Sequence, residues 1–287
     1  MAGSQATRGD LVTGTMADRA RQCAVAILAA CVMGAAGFAS AASPESHPPE
    51  ILRAKAEPAT VQVQGDTIYY TGNFSKASTV AFDAAVAGIR RGQLTRLVIS
   101  SGGGDTVAGR HVGRWVRDMG LVVEVDVICF SSCADYIFPA GRARVIRADA
   151  FVGWHGNERQ FHLLAVRKGI SLADLLSQYV PKDASPEQRT AFFRDFEETT
   201  KVTMKEEADF YAKLGLNDAF AVCAVGDILE KRPGYAGQIG WGFSLADMAR
   251  LGMTNTVYLG DGAYEDSARF RKYLVRISAE ECLALLK

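Results

Sequence analysis

The feature that most limits how this chain can fold is a strand, a glycine triplet, a helix and a second strand in close succession. Residues 97–100 are an apolar run typical of a buried strand, and residues 102–104 are all glycine. Apolar side chains follow helical spacing over residues 107–119, Gly120 is placed to end that helix, and residues 121–128 form a second apolar run. Two strands joined by a crossover helix lie parallel, so we predict an α/β fold with a parallel sheet.

The glycine turn invites a nucleotide-binding interpretation, because main-chain amides at the start of a helix stabilise phosphate. The residues argue against it. Gly104 and Gly109 have the spacing of a phosphate-binding loop, but Arg110 and His111 stand where a lysine and a hydroxyl are needed. A tight turn without a ligand, or amides directed at a developing oxyanion, remain as the two interpretations.

Composition indicates a globular chain with no preference for polyanions. Hydrophobic residues make up 48% of the 287 and charged residues 22%, while 32 basic side chains balance 32 acidic ones. With no net field to attract a phosphate backbone, nucleic acid is not an expected partner.

The N-terminus has the pattern of a leader for export. A basic flank precedes an uncharged, alanine-rich stretch over residues 22–44, and we predict a signal peptide over residues 1–41 with Met16 as the true start. Two alternatives stay open, namely a retained membrane anchor over residues 22–44 and lipidation at Cys31. The expected location is therefore periplasmic or extracellular.

Four cysteines follow the leader: Cys129, Cys133, Cys223 and Cys282. An even number in an oxidising compartment favours disulfides, but the spacing leaves their pairing open. Their spacing matches neither a redox motif nor a zinc site, so no metal is expected.

Other patterns outline the rest of the chain. We predict a linker over residues 42–58, a main domain over residues 59–262 with a helical insertion at about 162–220, and a C-terminal helix over residues 263–287, most clearly 267–286. Within the domain the patterns indicate a hairpin at 61–70, helices at 75–89, 133–140 and 244–251, strands at 143–146, 151–154 and 254–259, and helix starts at Ser171 and Ser185.

Serine and histidine follow two of the predicted strands. Ser131 and Ser132 stand between a strand and a helix, where a nucleophile gains from the helix dipole, and His155 ends a later apolar run. Each residue also has an ordinary interpretation: a serine that caps the helix, and a histidine in a turn.

Together these elements resemble the Clp-type serine peptidases. The stretch SGGGDTVAG at residues 101–109 is similar to their glycine turn, and SCADYIFPAG at 132–141 is similar to their nucleophile helix. His155 falls about two residues before the place of their catalytic histidine, and residues 243–253 are similar to the segment that closes the fold. The resemblance implies a Clp peptidase and crotonase-like parallel sheet with βαβ units and a helical insertion.

The same resemblance implies the chemistry of a serine hydrolase. Ser132 would be the nucleophile, with Ser131 as the neighbouring alternative, and His155 the general base. The amides of Gly104 and Cys133 would form the oxyanion hole. No cofactor is implied.

The third member of the family's triad is missing from its expected place. The family carries an acid just before the closing segment, and the corresponding residue here is Gly240. The third acid is therefore unknown, or the pair acts as a dyad, or the enzyme is degraded. Four candidates are Asp195, Glu197, Glu198 and Asp227.

We therefore expect an exported serine peptidase-like hydrolase that cleaves peptide or protein substrates and forms a homo-oligomer. No Clp-type ATPase partner is expected outside the cytoplasm. The alternative is a catalytically silent peptide-binding or assembly module on the same fold. Crotonase-like acyl-thioester chemistry is a third hypothesis, disfavoured because coenzyme A does not suit an exported protein.

Overall fold

A computed structural model of the chain describes residues 53–232, 235 and 237–285. Its strands are β1 (Thr60–Gln64), β2 (Thr67–Thr71), β3 (Arg96–Ser101), β4 (Val122–Phe130), β5 (Ala143–Ile146), β6 (Phe151–Gly153), β7 (Gly240–Gly242), β8 (Thr256–Tyr258) and β9 (Leu274–Arg276). Its α-helices are α1 (Lys76–Val86), α2 (Thr106–Met119), α3 (Gln160–Lys168), α4 (Leu172–Leu176), α5 (Pro186–Leu214), α6 (Ala219–Val222), α7 (Asp227–Glu230), α8 (Leu245–Arg250), α9 (Ala268–Tyr273) and α10 (Ala279–Ala284).

Seven strands in the described part of the chain form one mostly parallel sheet, in the order β1-β2-β3-β4-β5-β8 with β6 also paired to β4. Only the hairpin of β1 and β2 is antiparallel. The long strand β4 carries two partners in succession on one flank, β5 along its first half and β6 along its last three residues. The predicted α/β class with a parallel sheet is confirmed.

The predicted strand–helix–strand unit is present as β3, α2 and β4. The Asp105 carboxylate accepts a hydrogen bond from the Ala108 amide at 2.7 Å and caps the start of α2, while Gly120 ends the helix in the left-handed conformation. Val112 and Val116 are buried in the hydrophobic core. The unit therefore fixes the glycine turn at the carboxyl end of β3.

The helical section contains α3 to α6, and both predicted starts within it are capped. The hydroxyl of Ser171 accepts from the Asp174 amide, and that of Ser185 accepts from the Gln188 amide, each with the reciprocal bond of a capping box. Ser185 begins the 29-residue helix α5, which packs against α2.

Two predicted elements differ from the structure. The C-terminal helix predicted over residues 263–287 is wrong, because α9 ends where β9 pairs with β7, and Ser278 caps a separate helix α10. The helix predicted at 133–140 is a π-helix over Cys133–Ile137.

The predicted leader over residues 1–41 and most of the predicted linker lie outside the described residues. At the linker's end, Ala54 is buried and its carbonyl accepts the Gly102 amide at 2.8 Å, so this stretch packs on the glycine turn. Within the part of the chain that is described, no helix combines the length and apolar character needed to span a membrane.

Candidate active site

The glycine turn after β3 is held between two other segments. Gly103 and Gly104 have φ angles of 103° and 121°, which other residues rarely adopt. A Cβ on Gly103 would lie 2.5 Å from Cβ of Ser131, and one on Gly104 would lie 2.3 Å from the carbonyl oxygen of Phe74. Glycine is required here because the backbone closely approaches both the serine turn and the segment before α1.

The serine turn connects β4 to the π-helix. Ser131 has a φ of 58°, and its amide donates to the carbonyl of Gly153 on β6 at 3.1 Å. Ser132 follows in the right-handed helical region, and only 2% of it is exposed. A disulfide between Cys129 and Cys133 closes the chain around both serines, and a second disulfide joins Cys223 to Cys282.

The Ser132 hydroxyl is engaged with the glycine turn. Its Oγ donates to the carbonyl oxygen of Gly104 at 2.7 Å. The parallel bridge between Gly104 and Phe74 uses the carbonyl of Gly103 and the amide of Asp105, which leaves the Gly104 amide outside the bridge. The structure thus brings Ser132 and Gly104 together, with the Gly104 carbonyl rather than its amide as the contacting group.

His155 lies just beyond β6, beside the serine turn. Its ring stacks on that of Phe130 with the centroids 4.9 Å apart, and its Nε2 is buried with no hydrogen-bond partner in the described part of the chain. Burial lowers the pKa of His155 to about 4, so the imidazole is neutral at physiological pH. No hydrogen bond between His155 and Ser132 occurs among the described residues.

No described carboxylate orients His155. Three of the candidate acids, Asp195, Glu197 and Glu198, lie on α5, where Asp195 forms an ion pair with Arg194. The side chain of Asp227 lies outside the described part of the chain. At the family's acid position, Gly240 is a buried residue of β7.

A buried polar cluster between α2, the π-helix and α5 is absent from the sequence-based predictions. Arg110 is fully buried and pairs with Glu206 at 3.0 Å and with Glu207 at 3.8 Å. The Tyr136 hydroxyl donates to Glu207, and Asp135 is buried with Oδ1 lacking a hydrogen-bond partner among the described residues.

Burial sets the protonation of the acids in this cluster. It raises the pKa of Asp135 well above its usual range, and the nearby Glu207 and Glu158 carboxyls act in the same direction. It raises the pKa of Glu158 despite a hydrogen bond from Thr106 at 3.0 Å. Arg110 is a charged residue within the helical pattern of residues 107–119, and residue spacing does not show that α5 covers it.

A cavity of about 420 Å³ opens beside β9, and neither serine nor His155 is among the residues that line it. Its lining residues are Arg232, Gln238, Glu265, Phe270, Arg271, Leu274, Val275 and Arg276. Within the described ranges, no group of three or more His, Cys, Asp or Glu side chains is arranged to hold a metal ion.

Of the three comparisons with known proteins, only the one with solved structures found similar chains. No family model matches the chain, and no curated protein matches it. Pseudomonas aeruginosa DspI is similar with a TM-score of 0.28 and 13% identity over 40% of this chain, which spans 55% of DspI. A ClpP1 point mutant from Listeria monocytogenes is similar with a TM-score of 0.30 and 15% identity. The match covers 44% of this chain and 86% of ClpP1.

A putative enoyl-CoA hydratase from Rhodopseudomonas palustris gives a TM-score of 0.32 and 12% identity, covering 80% of this chain and 79% of that protein. Likeness at this level says nothing about activity, which depends on the site.

Proposed function

We propose that this chain is an exported serine hydrolase that cleaves peptide bonds in peptides or proteins. The observation that carries the proposal is the joining of the serine turn to the glycine turn, seen in the 2.7 Å contact between Ser132 Oγ and the Gly104 carbonyl. The serine turn and the glycine turn thus meet beside the strand end that carries His155. This combination suits acyl transfer.

The proposed reaction follows from these groups. A hydroxyl of the serine turn attacks the carbonyl carbon of the scissile bond, and its proton passes to Nε2 of His155. The amides of Gly104 and Cys133 stabilise the oxyanion. An attack by Ser132 would first require its hydrogen bond to the Gly104 carbonyl to open, whereas an attack by Ser131 would not. The carbon–nitrogen bond breaks as His155 gives the proton to the leaving amine, and water then hydrolyses the ester.

The proposal also covers where the protein acts, which partners it has and how it assembles. Export follows from the leader pattern, and the two disulfides are consistent with an oxidising compartment. Balanced charge disfavours nucleic acid, and no Clp-type ATPase is proposed. Assembly into a homo-oligomer follows from the resemblance.

Reaction with a fluorophosphonate, followed by intact mass, tests the proposal. We expect one adduct on the folded wild type and a labelling rate at least about 100-fold lower in His155→Ala. The matched control His162→Ala, on α3, labels at the wild-type rate. A folded wild type that gains no adduct would overturn the proposal.

A catalytically silent peptide-binding module is the second candidate. It is favoured by the Ser132 hydroxyl, which is committed to a carbonyl, and by the lack of a described carboxylate on His155. Such a module would remain unlabelled while still folded, so the same experiment separates the two functions.

A further inference from the structure

The two serines of the turn have different main-chain conformations. In the described part of the chain, Ser131 is the one non-glycine residue with positive φ, at 58°. For an L-residue this conformation costs about 1–2 kcal/mol, which glycine would avoid. Ser132 has φ −54° and ψ −25°, the ordinary values of a helix start. The sharp reversal from strand to helix is therefore centred on Ser131.

The disulfide is also centred on Ser131. Cys129 precedes Ser131 by two residues and Cys133 follows it by two, with their Cα atoms 5.1 Å apart. In a nucleophile elbow the serine stands at a strained strand-to-helix turn that exposes its hydroxyl, and the positions two residues away on each side are small. Here two bonded cysteines occupy those positions, so Cys-x-Ser-x-Cys replaces Gly-x-Ser-x-Gly.

The Ser131 and Ser132 hydroxyls lie in different surroundings, which indicate different roles. Ser132 is 2% exposed and its Oγ donates a hydrogen bond to the Gly104 carbonyl, so this hydroxyl holds the glycine turn against the π-helix. Ser131 is more accessible, and it faces Gly103, where an added Cβ would come within 2.9 Å of its Oγ. Gly103 packs so closely on Ser131 that any side chain there would crowd the Ser131 hydroxyl.

We infer that Ser131, and not Ser132, is the nucleophile of the hydrolase. This assignment rests on the proposed function. Oγ of Ser131 forms the ester bond with the substrate carbonyl carbon, the amide bond to the leaving amine breaks, and the hydroxyl proton reaches that amine through His155. Water then releases the acid and restores the hydroxyl. Ser132 keeps its hydrogen bond to Gly104 as a positioning residue.

Mapping of the fluorophosphonate adduct by tandem mass spectrometry tests this inference. We expect the adduct on Ser131 in the wild type. Ser131→Gly removes the hydroxyl but favours the positive φ, so it should fold with unchanged or higher thermal stability and gain no adduct. Ser132→Ala should still be labelled on Ser131, more slowly because the glycine turn is less firmly held.

The possible outcomes distinguish the assignment of Ser131 from the proposed serine hydrolase function. An adduct on Ser132, or wild-type labelling of folded Ser131→Gly, overturns the assignment and leaves a serine hydrolase. No adduct on the folded wild type overturns both.

The disulfide provides a second measurement. The double variant Cys129→Ala/Cys133→Ala should be labelled at least about tenfold more slowly if the bond shapes the elbow. The matched variant Cys223→Ala/Cys282→Ala removes the other disulfide, which does not enclose the serine turn, and should keep the labelling rate. Equal rates in the two double variants would contradict an elbow organised by Cys129 and Cys133.

Discussion

Protonation of His155 is decided by its burial, and this has a measurable consequence. Since burial lowers the pKa of His155 to about 4, the imidazole stays neutral far below its ordinary value of 6.5. We expect fluorophosphonate labelling to keep a constant rate from about pH 8 to about pH 5 and to fall near pH 4. Labelling across the pH range, with circular dichroism at each point to show that the chain is folded, checks this. A midpoint near 6.5 would contradict it.

Gly103 is the residue whose substitution should most directly disturb the site. Alanine there would combine a φ of 103° with a Cβ 2.5 Å from Cβ of Ser131, so we expect a loss of about 3 kcal/mol in the free energy of unfolding, together with loss of labelling. Gly88→Ala is the matched control, since its φ is also positive but nothing lies within 4 Å of the added Cβ. It should cost about 1 kcal/mol.

Urea unfolding of both variants gives the comparison. Equal losses would show that the backbone conformation alone matters and that Gly103 does not need to approach Ser131 closely.

At the residue scale the sequence indicated which groups meet but not how they are arranged. The resemblance to the Clp-type peptidases implied that Ser132 lies beside the turn that contains Gly104, and the structure joins them. The positive φ of Ser131 and the unpartnered Nε2 of His155 cannot be predicted from residue spacing, because both are properties of the folded chain. The pairing of Cys129 with Cys133 was open because four cysteines can pair in more than one way.

At the scale of elements, the buried polar cluster links helix α5 to the core. Burial, aided by the Glu158 carboxyl, raises the pKa of Glu207 to about 8, against a hydrogen bond from Tyr136 that lowers it. The folded state therefore holds a proton that the unfolded state releases between about pH 4.5 and pH 8. Across that window the free energy of unfolding falls as pH rises, by about 1.4 kcal/mol per pH unit for one proton.

Glu207→Gln should flatten this dependence, because glutamine keeps the shape without the titrating proton. Urea unfolding at about pH 5, 7 and 9 measures it, with Glu198→Gln, exposed on the same helix, as a control that follows the wild type. An unchanged slope in Glu207→Gln would place the proton elsewhere.

Elements with local signals were predicted well, whereas β9, which depends on a distant partner, was not. The starts at Ser171 and Ser185 are capping boxes, whose bonds lie within four residues, so the sequence revealed them. Strand β9 was predicted as helix, because Leu274 and Val275 become a strand only through pairing with β7, more than thirty residues earlier.

At the scale of the whole molecule, one intact-mass measurement should show both the removal of the leader and the formation of the two disulfides. We expect the protein isolated from its host to lack residues 1–41 and to be lighter than its reduced form by four hydrogen atoms, two for each disulfide. Intact mass before and after reduction and alkylation measures both. Retention of residues 1–41, or alkylation of Cys223 without reduction, would contradict the exported state.

The disulfide between Cys223 and Cys282 has a consequence for how the molecule responds to cleavage by a protease. These cysteines lie 59 positions apart, and the segment between them includes β7, α8 and β9, so the bond turns this region into a covalent ring. A protease that cuts one peptide bond inside the ring leaves both fragments attached. The nicked molecule would migrate as a single band until it is reduced, and its cut ends would stay close enough for the strands to pair again.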